Sequence, residues 1–251
     1  MEYRLKKSLG QHFLKDENIC KKIVEALTNT TFNNLVEVGP GAGALTKYLI
    51  QIPNINFKAV ELDDEKVPYL KAQYPVLIDK IIHKDFLQID APFNDEFTVI
   101  GNFPYNISTQ ILFKVLEWRQ QVPVVIGMFQ KEVAERVAAN YGCKAYGIIT
   151  VLIQAYYDVE YLFDVPPTSF TPPPKVNSGV IKLTRKEHPI VFATEKKFIA
   201  LVKAAFNQRR KMLRNPVKGM FDAEILKEDI FTKRAEHLSV QDFADLTFRM
   251  K

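Results

Sequence analysis

Over about the first two-thirds of the chain, short apolar runs alternate with segments whose apolar residues recur at helical intervals. Leu35-Val36-Glu37-Val38, Phe57 to Val60, Lys80 to Ile82, Phe97 to Ile100 and Val122 to Met128 have the length and continuity of strands buried on both faces. Between the last two, Ile107, Ile111, Leu112, Val115 and Leu116 mark one face of a helix. This alternation predicts an α/β fold, a parallel sheet with helices on both faces and ligands at the carboxyl ends of its strands. Ile148 to Phe163 and Val176 to Leu183 read as two further strands. Five prolines between Pro166 and Pro174 make their connection a loop, because proline cannot donate to a ladder or continue a helix.

After His188-Pro189 the pattern is helical only. Phe198, Leu201, Val202, Ala205, Phe206 and Met212 fall on one stripe, with Lys196, Lys203, Arg210 and Arg214 largely opposite. Farther on, Ser239 is placed to cap a helix, Asp242 supplies the acidic partner three residues later, and Leu238 and Phe243 form a hydrophobic staple. The expected division is a larger domain over residues 1–187 and a small all-α domain over 188–251. The two cysteines form no CxxC and the four histidines are scattered, which argues against a disulfide framework and a Cys/His metal cage. No stretch approaches the ~18 uncharged apolar residues of a membrane helix, and the first 25 residues lack a signal-peptide core, so a cytoplasmic protein is expected.

The net charge of +5 is unevenly spread. Met1 to Lys22 holds six basic residues against three acids, and Lys196 to Lys218 holds eight and no acid; the remainder, with 20 basic and 26 acidic residues, carries −6. Segregated positive charge suits a polyanion, because each Lys or Arg set near a phosphate releases a condensed counterion. Taken alone, the same pattern also fits a solvated helix face.

Chemistry concentrates at the predicted strand ends. Val36-Glu37-Val38-Gly39-Pro40-Gly41-Ala42-Gly43 runs from a strand through a glycine turn into a helix, the geometry that lets backbone approach a ligand closely. The spacing fits a dinucleotide fingerprint or the ExGxGxG turn of adenosylmethionine-dependent methyltransferases. Glu61, ending the next strand, is placed to accept from ribose hydroxyls, which both cofactors possess. Asp85 and Phe86 end the third strand, where they can meet an adenine amine and ring. Gly101-Asn102-Phe103-Pro104-Tyr105 ends the fourth and separates the alternatives. The exocyclic amine of adenine is a poor nucleophile because its lone pair is delocalised into the ring. Two carbonyls, the side chain of Asn102 and the backbone of Phe103, can bind both amine hydrogens and expose that lone pair. Pro104 shapes the turn, and Tyr105 offers a ring for a flipped base. An NAD-dependent oxidoreductase has no use for this segment.

With these residues in place the chain resembles the bacterial 16S rRNA adenine dimethyltransferases along nearly its whole length. The likeness rests on Lys7 to Leu14, the glycine turn, Glu61-Leu62-Asp63, Asn102 to Ser108, Phe170 to Ser178 and Ala205 to Lys211. It implies a Rossmann-like class I methyltransferase domain with a helical rRNA-binding domain. It further implies S-adenosyl-L-methionine as methyl donor, no metal, and dimethylation of N6 on two adjacent adenosines near the 3′ end of 16S rRNA in a small-subunit (30S) precursor, by a monomer. By the same resemblance His12, Leu14, Gly39, Glu61, Asp85 and Asn102 hold the cofactor, and Asn102, Phe103, Pro104 and Tyr105 form the catalytic pocket; Gly41 and Gly43 of the turn, Leu62 and Phe86 are expected beside the cofactor as well. Lys6, Lys7, Lys203, Arg209, Arg210, Lys211 and Arg214 are the RNA contacts expected from the basic segments. His12 stands where Asn is common in the family, and Phe103 where Leu is usual. A large-subunit methylase of the macrolide-resistance type and a noncatalytic ribosome-assembly factor are the alternatives; the Phe170 to Ser178 loop and the Asn207 to Lys211 run favour the small-subunit reading.

Overall fold

The computed structural model describes residues 12–28 and 30–251. These residues group into two compact units, one within Met1–Ala134 and Val159–Arg185, the other of Glu135–Asp158 and Lys186–Lys251.

The first unit is built on a sheet whose inner strands are buried along nearly their whole length. β1 is the short strand Phe13–Leu14, followed by helix α1 (Glu17–Glu25), which Asp16 caps by accepting from the amides of Asn18 and Ile19. Then come β2 (Asn34–Val38), α2 (Thr46–Leu49), β3 (Asn56–Glu61), α3 (Lys66–Gln73), β4 (Ile81–His83), β5 (Thr98–Asn102), α4 (Ser108–Glu117) and β6 (Val124–Gln130), with α5 (Lys131–Val137) at the unit boundary. The sheet order is β4-β3-β2-β5-β6, all parallel, continued by β9 (Ser178–Arg185), antiparallel to β6, and by β7 (Tyr157–Val165). From β2 the chain winds outward through β3 to β4, then returns to place β5 on the other side of β2. The topological switch point, where ligands bind in open α/β sheets, therefore lies beyond the carboxyl ends of β2 and β5. Leu35, Ile100, Ile126 and Met128 are buried in the core below it, so the strand ends sit on a rigid base. The parallel sheet, its strands and the helix after β5 are as the sequence predicts.

A second, two-stranded sheet pairs β1 with β8 (Phe170–Thr171), Phe13 opposite Thr171 and Leu14 opposite Phe170. The Lys15 amide donates to the Ser169 carbonyl at 2.9 Å and Ser169 Oγ to Asp16 Oδ2 at 3.2 Å. Sequence pattern gave no sign of this pairing, which joins segments some 160 residues apart.

The second unit consists of helices and turns apart from the first residues of β7 and one isolated bridge. It departs from expectation in three ways. Ile148 to Phe163 is not one strand: Ile148–Gln154 is helix α6, and β7 starts at Tyr157. A helix apolar on every side reads like a buried strand, and here Ile149 to Ile153 are all buried. The Gly147 amide bonds Thr150 Oγ1, starting the helix where no classical capping residue precedes the apolar run. Second, because α6 packs on α7 (Glu195–Asn207), residues 135–158 join the C-terminal unit, so the expected 1–187 and 188–251 division misplaces them. Third, α7 stops at Asn207. Phe198, Leu201, Val202 and Ala205 form its buried stripe as predicted, but Met212 lies beyond the helix and is exposed, and residues 209–214 are turns. The last helix, α8 (Val240–Thr247), has the expected capping box: Ser239 Oγ accepts from the Asp242 amide, Asp242 accepts from the Ser239 amide, and Leu238 and Phe243 are fully buried.

Candidate active site

A pocket opens at the switch point, lined by residues from β1, the glycine turn, Glu61-Leu62, Asp85-Phe86 and Asn102 to Ile107. The glycine turn forms one wall. Gly39 and Gly41 have φ of +66° and +56°, a region other residues enter only with strain, and the Gly39 amide donates to the Val60 carbonyl at 2.9 Å. A Cβ on Gly41 would sit 3.2 Å from the Phe13 ring, so the turn needs its glycines both for shape and for room. Gly43 is not among the lining residues. A Cβ there would sit 2.7 Å from the Tyr74 ring, so Gly43 also gives the turn room on its packed side.

Glu61, at the end of β3, faces the same turn. One carboxylate oxygen accepts from the Gly41 amide at 3.0 Å, the other from the amides of Leu62 and Asp63 at 3.0 and 2.9 Å. Burial pushes its pKa above the usual carboxylate range, and the three amides pull it back. A carboxylate has about four acceptor sites, so three amides leave room for a ligand hydroxyl at the oxygen beside Gly41. Leu62 lines the mouth and is half exposed.

Asp85, after β4, caps the turn Phe86–Gln88, accepting from the Leu87 amide at 2.9 Å and Gln88 Nε2 at 3.0 Å. Phe86 packs edge-on against Trp118, with ring centroids 5.3 Å apart, and is a buried part of the pocket wall.

Across the switch point, the end of β5 carries Asn102 to Tyr105. Asn102 Nδ2 donates to the His12 carbonyl at 3.2 Å. That carbonyl can only accept, so the amide nitrogen must point to it and the side-chain carbonyl is the end left for the pocket. The Phe103 ring is buried edge-to-face on Phe129, centroids 5.1 Å apart, and its amide donates to the Met128 carbonyl at 3.2 Å. Gly101 and Gly127 make room for it: a Cβ on Gly101 would come within 2.8 Å of the ring. Phe in place of the family's usual Leu is thus absorbed below the pocket, and the residue's backbone remains at the lining. Pro104 packs over Gly39, its Cδ 3.6 Å from where a Cβ there would lie. Tyr105 bonds Ser178 Oγ through its hydroxyl at 2.5 Å, and burial raises its pKa, which keeps the phenol neutral.

His12 acts by backbone and ring together. Its carbonyl holds Asn102, its Nδ1 bonds the Pro172 carbonyl at 2.9 Å, and its ring stacks on Tyr105 with centroids 5.5 Å apart and planes 28° off parallel. A base using Tyr105 must therefore take the other face. Leu14 lines the pocket from β1.

Sequence reasoning passed over Glu37 and Phe13, which also line the pocket. Glu37 is buried under the glycine turn, accepts from Thr46 Oγ1 at 2.7 Å, and has its pKa raised to about 8 by burial, with nearby Glu61 adding to the rise. Its place as the first acid of ExGxGxG was the available signal.

The basic residues expected to meet RNA are placed less uniformly. Lys6 and Lys7 lie outside the described residues. Lys203 is exposed on α7, and Arg210 and Lys211 are exposed in the turn that follows. Arg214 is partly buried, with Nη2 3.3 Å from the Met212 sulfur. Arg209 is engaged inside its own unit, donating from Nε to Glu236 Oε2 at 2.6 Å and from Nη2 to the Lys144 carbonyl at 2.6 Å. Among the described residues no helix is long and apolar enough to cross a membrane.

The sequence model of the family described as ribosomal RNA adenine dimethylase matches residues 2–249. A protein of Cytophaga hutchinsonii named ribosomal RNA small subunit methyltransferase A is 54% identical over 248 residues, 97% of this chain and 96% of the relative. Its namesake in Flavobacterium johnsoniae is 52% identical, covering 99% and 96%. Among solved structures, a dimethyladenosine transferase from Plasmodium falciparum superposes with a TM-score of 0.80 at 26% identity, covering 94% of this chain and 96% of that one. The 23S rRNA methyltransferase ErmE superposes at 0.76 and 21% identity, covering 95% and 99%, a likeness of fold. With a family match over nearly its whole length and relatives that share about half its residues end to end, the chain belongs to the ribosomal RNA adenine dimethylase family.

Proposed function

We infer that this chain is an S-adenosylmethionine-dependent rRNA adenine dimethyltransferase that modifies N6 of two adjacent adenosines near the 3′ end of 16S rRNA, acting on a small-subunit precursor. The observation that carries the reading is the Asn102 amide, turned by the His12 carbonyl so that its own carbonyl serves the pocket. S-adenosylmethionine, when bound, supplies an electrophilic methyl group on a cationic sulfur. The residues present fit it: a left-handed glycine turn leaves backbone bare at the pocket wall, Glu61 keeps an acceptor site for ribose hydroxyls, and among the described residues each Asp85 oxygen accepts one bond.

The protein's own part is orientation and electrostatics. Asn102 Oδ1 and the Phe103 carbonyl accept the two hydrogens of the target amine, holding its nitrogen in a geometry that exposes the lone pair. The free face of Tyr105 supports the flipped base. No general base is needed, because the amine becomes acidic once alkylated and can release its proton to water. Lys203, Arg210 and Lys211, exposed on the second unit, serve the rRNA backbone.

Incubation with labelled S-adenosylmethionine and small subunits lacking the modification, followed by mapping of the label, tests the reading. Label on two adjacent adenosines near the 3′ end of 16S rRNA is the expected result. Label on large-subunit rRNA, or none, refutes it.

A further inference from the structure

Three turns of the second unit converge on one surface. The Arg209 guanidinium straps them: Nε donates to Glu236 Oε2 at 2.6 Å, while Nη2 donates to the carbonyls of Lys144 at 2.6 Å and Cys143 at 3.4 Å. The Gly142 amide donates to the Glu236 carbonyl at 2.6 Å. Met212 bridges Arg234, and the Leu213 amide donates to the Lys233 carbonyl at 2.8 Å. Residues 140–144, 209–214 and 233–237 are thereby held together, and they contain seven basic residues against one acid, Glu236, which Arg209 neutralises. Lys144, Arg210, Lys211, Lys233 and Arg234 are all exposed.

The first of these turns carries Tyr141, with 61% of its surface exposed on a loop whose backbone is tied at Gly142, Cys143 and Lys144. A ring displayed from a fixed loop keeps two faces available at little ordering cost, and a ring among Lys and Arg is the composition of single-stranded nucleic-acid platforms. An acidic peptide would use the charges but not the ring.

We propose that on this basic surface, already read as facing the rRNA backbone, Tyr141 stacks an unpaired base other than the target adenosine, flanked by Lys144, Lys233 and Arg234, with Arg209 as a positioning residue that holds the surface together. The proposal rests on the rRNA substrate read above. It reassigns Arg209 from phosphate contact to strap, and it brings in Tyr141, Lys144, Lys233 and Arg234 from parts of the chain that sequence did not connect.

Cys143 beside Tyr141 supplies the probe. It is exposed, whereas Cys20 is buried with its thiol pKa pushed up to about 12. N-ethylmaleimide should therefore modify Cys143 selectively in the folded full-length chain, and bound undermethylated small subunits should suppress that modification. Tyr141→Ala and Tyr141→Leu should each weaken subunit binding about 5- to 150-fold, while Tyr141→Phe binds normally, because stacking needs the ring and not the hydroxyl. None of the three should alter S-adenosylmethionine binding. Arg209→Ala should speed hydrogen exchange at the Gly142 amide in the free protein, which Arg210→Ala should not do. Undiminished modification of Cys143 in the complex, or normal binding by Tyr141→Ala, overturns the docking surface even if Arg210→Glu weakens binding. Absence of methyl transfer to 16S rRNA by the unsubstituted chain overturns instead the reading on which it rests.

Discussion

Replacing Glu61 separates its two tasks, bracing the glycine turn and clamping the cofactor. Its carboxylate accepts from the amides of Gly41, Leu62 and Asp63 at 2.9 to 3.0 Å, leaving about one acceptor site for a ribose hydroxyl. A hydrogen bond to a charged group is worth about 1.5–3 kcal/mol, so losing the ribose bond should weaken S-adenosylmethionine by about 10- to 150-fold. Glu61→Ala should exceed that range and lower Tm as well, because the Gly41 amide loses its acceptor and the turn loses its brace. Glu61→Gln keeps the shape and one carbonyl, and should show the cofactor loss with a smaller drop in Tm. Calorimetry with S-adenosylmethionine and S-adenosylhomocysteine gives the dissociation constants, and small-subunit affinity should stay unchanged. Because burial raises the Glu61 pKa and the ionised form does the clamping, wild-type cofactor affinity should fall as pH is lowered, starting above the range of an ordinary glutamate. The Gln variant should lack that titration. Wild-type dissociation constants and an unaltered pH profile in Glu61→Gln would refute the assignment.

Asn102→Ala should keep the fold but lose about two to three orders of magnitude in methylation rate at saturating cofactor, as expected for one preorganised polar contact; near-normal single-turnover rates would remove Asn102 from catalysis. Gly127→Ala should destabilise the protein by about 1–3 kcal/mol, since the added carbon collides with the rings of Phe103 and Phe129, and Phe103→Leu in the same chain should recover part of the loss in a thermal melt. Glu37, with its pKa raised to about 8, binds a proton more tightly folded than unfolded, so its contribution to stability is lost as pH rises through that value. Glu37→Gln should therefore gain in Tm relative to wild type as pH increases from about 5 to 9, and a constant difference would contradict the raised value. Reversing Arg210 and Lys211 to Glu should weaken subunit binding and flatten its dependence on log salt at unchanged Tm; an unaltered salt slope would contradict the phosphate role.

Much of the pocket was legible in the sequence because its parts are local. The glycine turn, Glu61, Asp85 and Asn102 to Tyr105 each end a strand that announces itself by apolar continuity, and parallel strands in a doubly wound sheet bring their carboxyl ends to one edge. Periodicity failed at Ile148 to Gln154, where a helix buried on all sides shows no polar face, and at Met212, where stripe spacing continued past the end of α7.

What the sequence by itself determined is the chemistry on offer: which strands end in which donors and acceptors, and the family they place the chain in. Only the tertiary structure decided how those groups are aimed. The pairing of β1 with β8 carries His12 to Asn102, Tyr105 and Pro172, and so sets which end of the Asn102 amide meets the pocket. Within the second unit, packing turned Arg209 inward on Glu236 and Lys144 while leaving Arg210 and Lys211 exposed. The physical reason is that periodicity and spacing report burial and local conformation, whereas a side chain's partner across 65 or 160 residues depends on how whole elements pack.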